Sequence, residues 1–170
     1  MTDKLVSSRV KKQHLLDQYD VDCKNPLGSG AYGKVFKATN KKDTKIQRAI
    51  KAVKKSGLST DELMLLHREL AILSKLDNPN IARYYENYED ENFLYICMEL
   101  CQGGDMHQRM DQQGRPFHEI EIVKFLPNLV KALMHCHSQN IIHRDIKPGN
   151  IMFDSSGEIK FIDFGVAVTL

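Results

Sequence analysis

Cysteine is scarce, and Cys23, Cys97, Cys101 and Cys136 form neither a C-x-x-C pair nor a zinc-ligand spacing. That argues against a disulfide framework and for a reducing compartment. No apolar run approaches the length of a membrane span, and the first twenty residues are heavily charged, without an apolar signal core. Position 2 is Thr2, which excludes N-myristoylation. The cytosol or nucleus is the location expected by default. A net charge of +2 is too small to point to nucleic acid or an acidic membrane, and the Lys pairs at 11–12, 41–42 and 54–55 read as solvated faces. No internal repeat and no low-complexity stretch occurs. What is present is the composition of a folded domain, 42% apolar and 27% charged over 170 residues, enough for one domain with a buried core.

The most informative stretch is HRDIKPGNIMFDSSGEIKFIDFG, from His143 to Gly165. Ile151 to Phe153 form a short apolar run, Ser155, Ser156 and Gly157 a turn, and Ile159 to Ile162 a second strand. Such a hairpin brings its two flanking loops to one end. Asp145 and Asn150 lie in the first loop and Asp163 in the second, with Lys147 beside them. Hard oxygen ligands of this kind suit Mg²⁺ and the phosphates it carries. The competing reading is a surface hairpin whose Asp and Asn residues serve turn geometry.

Near the N-terminus, NPLGSGAYGKVFKATN holds Gly28, Gly30 and Gly33. Three nucleotide-binding patterns compete for these glycines. The span GSGAYGKV nearly spells a P-loop, but Val35 stands where a hydroxyl should meet Mg²⁺. Val35 to Thr39 read as strand, whereas P-loop and Rossmann glycines open a helix. A strand–glycine loop–strand hairpin remains. In KIQRAIKAV, Ala49, Lys51 and Val53 share one face, and Ile50 and Ala52 take the other. Lys51 either reaches a phosphate beside a flat base packed on Ala49, or points to water. A helix follows over about 60–76, with Ser59 and Glu62 as a capping box and Leu66, Leu70 and Leu73 as its apolar stripe. Glu69 lies along that stripe and calls for a cationic partner, for which Lys51 is the candidate; the alternative places Glu69 at the rim in solvent.

These separated motifs, H-R-D-x-K-P-x-N, D-F-G, the glycine hairpin and the Lys51–Glu69 spacing, resemble the catalytic domain of eukaryotic protein kinases. The likeness covers about residues 20–170 and is greatest to the calcium- and calmodulin-regulated kinases, although no EF-hand loop or autoinhibitory helix is present. Lys147, two residues after Asp145, matches the serine/threonine pattern. The resemblance implies that Asp145 orients the attacking hydroxyl and accepts its proton, while Lys147 stabilises charge on the transferring phosphoryl group. It implies that Lys51 and Glu69 pair to orient ATP phosphates, and that Asn150 and Asp163 hold Mg²⁺. Leu27, Gly28, Ser29, Gly30, Gly33, Val35 and Ala49 would enclose ATP. Met98 would line the back of the adenine pocket, and the backbones of Glu99 and Cys101 would bond the base. Asp105 would meet the ribose, or serve as an ordinary N-cap after Gly103-Gly104. Arg144 suggests control by a phosphate on an activation segment.

A long helix is expected over 117–140, with Ile122, Leu126, Leu129, Leu133 and Cys136 on its core face and a kink at Pro127. The expected fold class is α+β: a bilobal kinase-like fold, with a five-stranded antiparallel N-lobe sheet, one main helix and an incomplete helical C-lobe. Residues 1–20 read as a leader and 21–170 as the kinase domain, divided into N-lobe 21–98, hinge 99–104 and partial C-lobe 105–170. Because the chain stops five residues after Gly165, a truncated kinase domain is expected. The expected activity is transfer of the ATP γ-phosphate to a serine or threonine hydroxyl of a protein, with no nucleic-acid or membrane partner. The alternative is a nucleotide-binding pseudokinase or interaction module.

Overall fold

The computed structural model describes residues 10–11, 14–30 and 33–170. The chain divides into two compact units, residues up to 71 together with 84–100, and residues 72–83 together with 101–170.

The first unit contains β1 (Val10–Lys11), α1 (Leu15–Gln18), β2 (Tyr19–Gly30), β3 (Gly33–Asn40), β4 (Gln47–Lys54), most of α2 (Thr60–Leu73), β5 (Tyr84–Glu89) and β6 (Phe93–Glu99). Strands β2 to β6 form the expected five-stranded antiparallel sheet, in the order β5-β6-β4-β3-β2. Strand β1 adds a sixth, parallel to β5, with Val10 opposite Asn87. It comes from the 1–20 leader, of which residues 1–9, 12 and 13 lie outside the described residues.

Strand β4 alternates as its sequence indicates, but both of its faces are covered. Ala49 and Val53 are buried on the Lys51 side. On the opposite side Ile50 packs with Leu15, Tyr19, Ala38, Tyr88 and Cys97. The end of the leader therefore contributes core side chains to this sheet. Helix α2 starts at the expected capping box: Glu62 Oε2 accepts from Ser59 N at 2.8 Å, and Ser59 Oγ accepts from Glu62 N at 3.3 Å. The first acceptor satisfies the cap residue's own N–H, the second an N–H of the opening turn that has no carbonyl to bond.

The second unit contains α3 (Met106–Gln113), α4 (Glu119–Ser138), β7 (Ile141–Ile142), β8 (Ile151–Phe153), β9 (Ile159–Phe161) and β10 (Val168–Thr169). Strands β8 and β9 form the expected hairpin. Asp154 Oδ1 holds its turn by accepting from the amides of Ser156 (2.8 Å) and Glu158 (3.0 Å), and Gly157 supplies a φ of 88°. Residues 80–82 run beside β9: Phe161 N donates to Asn80 O (2.8 Å) and Ala82 N to Phe161 O (2.9 Å). Those bonds tie the segment after α2 to this unit.

Helix α4 continues through Pro127; of its expected stripe Cys136 is buried and Leu129 and Leu133 are half-buried, but Ile122 and Leu126 are exposed. Phe125 stacks edge-on to Phe117 (5.5 Å between centroids) and Phe153 (6.3 Å), and Ala132 and Cys136 are buried in line with it. This aromatic cluster sets the helix phase and turns Ile122 and Leu126 outward. Leu126 is 47% exposed and Met134 65%, and Ile120, Val123 and Val130 are exposed on the same stripe. A contiguous apolar stripe of that kind drives association. Residues 1–170 alone are expected to elute above monomer size, and Val130→Lys with Met134→Lys should shift the population towards monomer. Size-exclusion chromatography with light scattering checks this; a wild-type chain that stays monomeric would contradict it. No helix among the described residues is long and apolar enough to cross a membrane.

Candidate functional site

In the first unit the proposed phosphate-binding residues share one strand register. Gly28 lies opposite Val35, Ser29 opposite Lys34 and Gly30 opposite Gly33, so the glycines join two strands and do not open a helix. Residues 31–32, at the tip, are outside the described residues. A Cβ on Gly33 would lie 2.0 Å from Ala52 O, so only glycine lets the hairpin approach β4 this closely. Val35, Lys51 and Ile96 are aligned across β3, β4 and β6, and Ala49 lies opposite Met98. Leu27 is exposed, and Met98 and Glu99 are partly buried at the end of β6.

Lys51 Nζ donates to Glu69 Oε1 at 2.7 Å, and the two side chains are 16% and 4% exposed. A carboxylate buried to that degree is costly unless paired, so helix α2 is held by a specific cation on β4. This favours the ion-pair reading of both residues over lysine or glutamate in water.

In the second unit the loop after β7 is built around His143. Its ring is buried, 4.7 Å from Phe164 and 5.4 Å from Phe161 between centroids. Nδ1 accepts from Asp145 N (3.3 Å), which leaves Nε2–H to donate to Ile162 O (3.1 Å). One imidazole thus ties the Asp145 loop to the strand that leads into Asp163. Sequence reading gave His143 no role of its own within the H-R-D-x-K-P-x-N motif; Ile141 and Ile142 just before it were its only signal of burial. Arg144 takes a φ of 66° and donates from Nε to Val166 O (2.6 Å).

Asp145 Oδ2 accepts from Lys147 Nζ at 2.6 Å and from Asn150 Nδ2 at 2.8 Å, and Asn150 Nδ2 also donates to Asp145 O at 2.8 Å. The Lys147 ammonium, and then the Asn150 amide, hold the Asp145 carboxyl below its ordinary range, and Lys147 is raised in return, chiefly by Asp145 and also by Asp163. Asp145 therefore stays an anion through the neutral range, as an acceptor of a hydroxyl proton must. Asn150 is buried, and Ile162 N donates to its carbonyl oxygen at 3.0 Å, which places the Asp163 segment against it. Asp163 is exposed, has a φ of 59°, and accepts from Gly165 N at 3.2 Å.

The donor set fits Mg²⁺. Asn150 spends its amide NH₂ on Asp145, so its side-chain oxygen is the atom left to ligate, and Asp163 offers a carboxylate. Among the described residues no group of three or more His, Cys, Asp or Glu residues could hold a metal. One carboxylate with one amide is what Mg²⁺ uses when waters and phosphate oxygens complete its octahedron.

Cys101 and Asp105 also belong to the second unit. Cys101 is buried. Asp105 forms a full capping box for α3, accepting from Gln108 N (2.8 Å) while its own N–H donates to Gln108 Oε1 (3.1 Å). Its N-cap role is therefore present. Between them, Gly103 is a packing requirement that sequence reading took for a hinge glycine. It donates to Phe153 O (2.8 Å) and accepts from Arg109 Nε (2.9 Å), while Arg109 stacks 3.7 Å over the Phe153 ring. An added Cβ would lie 2.7 Å from Phe153 Cβ and 2.8 Å from Asp154 O. Gly103→Ala is expected to lower stability by about 1–3 kcal/mol, the usual cost of overpacking. Chemical denaturation of the full-length protein checks this, and an unchanged midpoint would contradict the close approach.

Comparison with known proteins agrees with this geometry. The family profile described as protein kinase domain matches residues 21–170. Calcium-dependent protein kinase 5 of Plasmodium falciparum is 41% identical over 161 residues, 93% of this chain and 28% of that protein. Aurora kinase B of Xenopus tropicalis is 36% identical over 159 residues, 93% of this chain and 43% of that protein. Serine/threonine-protein kinase Nek1 of Mus musculus is 36% identical over 145 residues, 85% of this chain and 12% of that protein. The chain thus spans less than half the length of each of these relatives. The profile match over 21–170, which takes in the glycine strands, the Lys51–Glu69 pair and the Asp145–Lys147–Asn150 loop leading to Asp163, shows that the chain belongs to the protein kinase domain family.

Proposed function

We propose that the protein transfers the γ-phosphate of ATP to serine or threonine hydroxyls of protein substrates. The observation that carries this reading is the Asp145 carboxylate, held ionised and oriented by Lys147 at 2.6 Å and Asn150 at 2.8 Å. Asp145 orients the substrate hydroxyl and takes its proton. Lys147, released in part from Asp145, meets the charge that develops on the phosphoryl oxygens. Lys51, fixed by Glu69, positions the other ATP phosphates, and the backbone of Gly28, Ser29, Gly30 and Gly33 lies over them, with Leu27, Val35, Ala49 and Met98 against the base. The backbones of Glu99 and Cys101 bond adenine, and Asp105 adds a ribose contact to its cap role. Asn150 and Asp163 would hold Mg²⁺, which would neutralise charge on the phosphate oxygens. Phosphoryl transfer depends mostly on such positioning and electrostatic stabilisation.

The test is to incubate the full-length protein with Mg-ATP and a mixed peptide library, then identify phosphorylated residues by mass spectrometry. Serine and threonine are the expected acceptors. Tyrosine as the dominant acceptor would overturn the serine/threonine assignment.

A further inference from the structure

A cavity in the first unit is not part of the Lys51–Glu69 site. It measures about 380 Å³ and opens on the opposite face of the sheet. The alternation of β4 fixes that placement: Ile50 and Ala52 line the cavity, whereas Lys51 between them turns to Glu69. Val21, Phe36, Tyr88 and Tyr95 complete an apolar floor, and α1 closes one side with Leu15 and Leu16. The volume lies in the range of about 300–1,000 Å³ usual for small-molecule sites, toward its lower end.

The charged residues that line the mouth are acidic, and Lys55 and Lys41 border them. Asp17, Glu89 and Asp90 line it together with His14, and no lysine or arginine does so among the described residues. Glu89 is paired with Lys55 at 2.9 Å. Asp90 is locked as an anion: burial works to raise its pKa, but the amides of Phe93 and Asn92 and the Tyr95 hydroxyl more than offset this. Asp17 is exposed at the end of α1. A ligand seated here meets an apolar floor and, at its outer end, carboxylates that are not all neutralised. Apolar surface supplies most of the binding free energy at such a site, and the charges select the head group.

We propose that this cavity binds a small amphiphile with a compact apolar body and a single cationic head, the body on Ile50 and Ala52 and the head between Asp17 and Asp90. The occupant is an organic ammonium, distinct in class and place from ATP.

Cys23 provides the readout, because it lines the same mouth and its thiol is exposed and free. The full-length protein is treated with a maleimide in the presence of decylammonium, decanol or decanoate, each below its micelle-forming concentration, and the rate of Cys23 alkylation is followed. Decylammonium should slow alkylation saturably, decanol more weakly, and decanoate not at all. Ala52→Leu fills the floor and should abolish protection while leaving the unprotected rate unchanged. Asp17→Asn, at an exposed position that does not endanger folding, should weaken decylammonium by about two- to fivefold, the size of an exposed charge contact, and leave decanol unaffected. Equal protection by decylammonium and decanoate would overturn the proposal. So would protection by none of the three, or full protection by decylammonium in Ala52→Leu.

Discussion

Asp163→Asn in the full-length protein is expected to lower kcat by about a hundred- to a thousandfold, the usual cost of removing a preorganised electrostatic contact from a transition state. Nucleotide affinity should fall far less. The substitution keeps the size of the side chain and removes its charge. It is also conformationally safe, because Asp163 sits at a φ of 59° and asparagine tolerates the left-handed region nearly as well as aspartate. The acceptor of the Gly165 amide survives as the asparagine carbonyl. A loss of turnover therefore reports the missing charge and not a displaced loop. Steady-state phosphorylation together with a nucleotide-binding titration separates the two quantities. Equal kcat in wild type and variant would remove Asp163 from the mechanism.

Lys51→Met should act twice. It removes the cation proposed to hold ATP phosphates, and it strands Glu69, a carboxylate only 4% exposed. Breaking one side of a buried pair costs about 3–5 kcal/mol, whereas removing both charges costs much less. The single variant is therefore expected to be inactive and destabilised. Lys51→Met combined with Glu69→Gln should regain most of the stability and none of the activity. That divergence distinguishes a catalytic lysine from a merely structural one. If the double variant recovered phosphorylation along with stability, the pair would be scaffolding alone.

Short-range chemistry was legible in the sequence, and through-space packing was not. The β8–β9 hairpin follows from Ser155, Ser156 and Gly157, and the start of α2 follows from Ser59 and Glu62, because turns and caps are decided within a few residues. The Lys51–Glu69 pair was also accessible, since a carboxylate on an apolar helical stripe demands a cation. The phase of α4 was not. Its leucines suggest one stripe, but Phe125 meets Phe117 and Phe153 and rotates Leu126 outward. Gly103 and His143 were missed for the same reason: one is defined by the approach of Phe153 and Asp154, the other by the Ile162 carbonyl nineteen residues away and the rings of Phe161 and Phe164. The burial of Ile50 likewise depends on Leu15 from the leader, which no local pattern connects to β4.

The proposed chemistry is tested most directly at Asp145. The full-length protein and its Asp145→Asn variant are assayed side by side for transfer of labelled γ-phosphate from Mg-ATP to a serine- and threonine-containing protein. General-base positioning contributes on the order of 10²- to 10⁴-fold, so incorporation by the variant should fall by at least about a hundredfold. Nucleotide binding should be retained, because Asn150 and Asp163 are untouched. Equal incorporation by wild type and variant would contradict the assignment of this loop as the phosphoryl-transfer site.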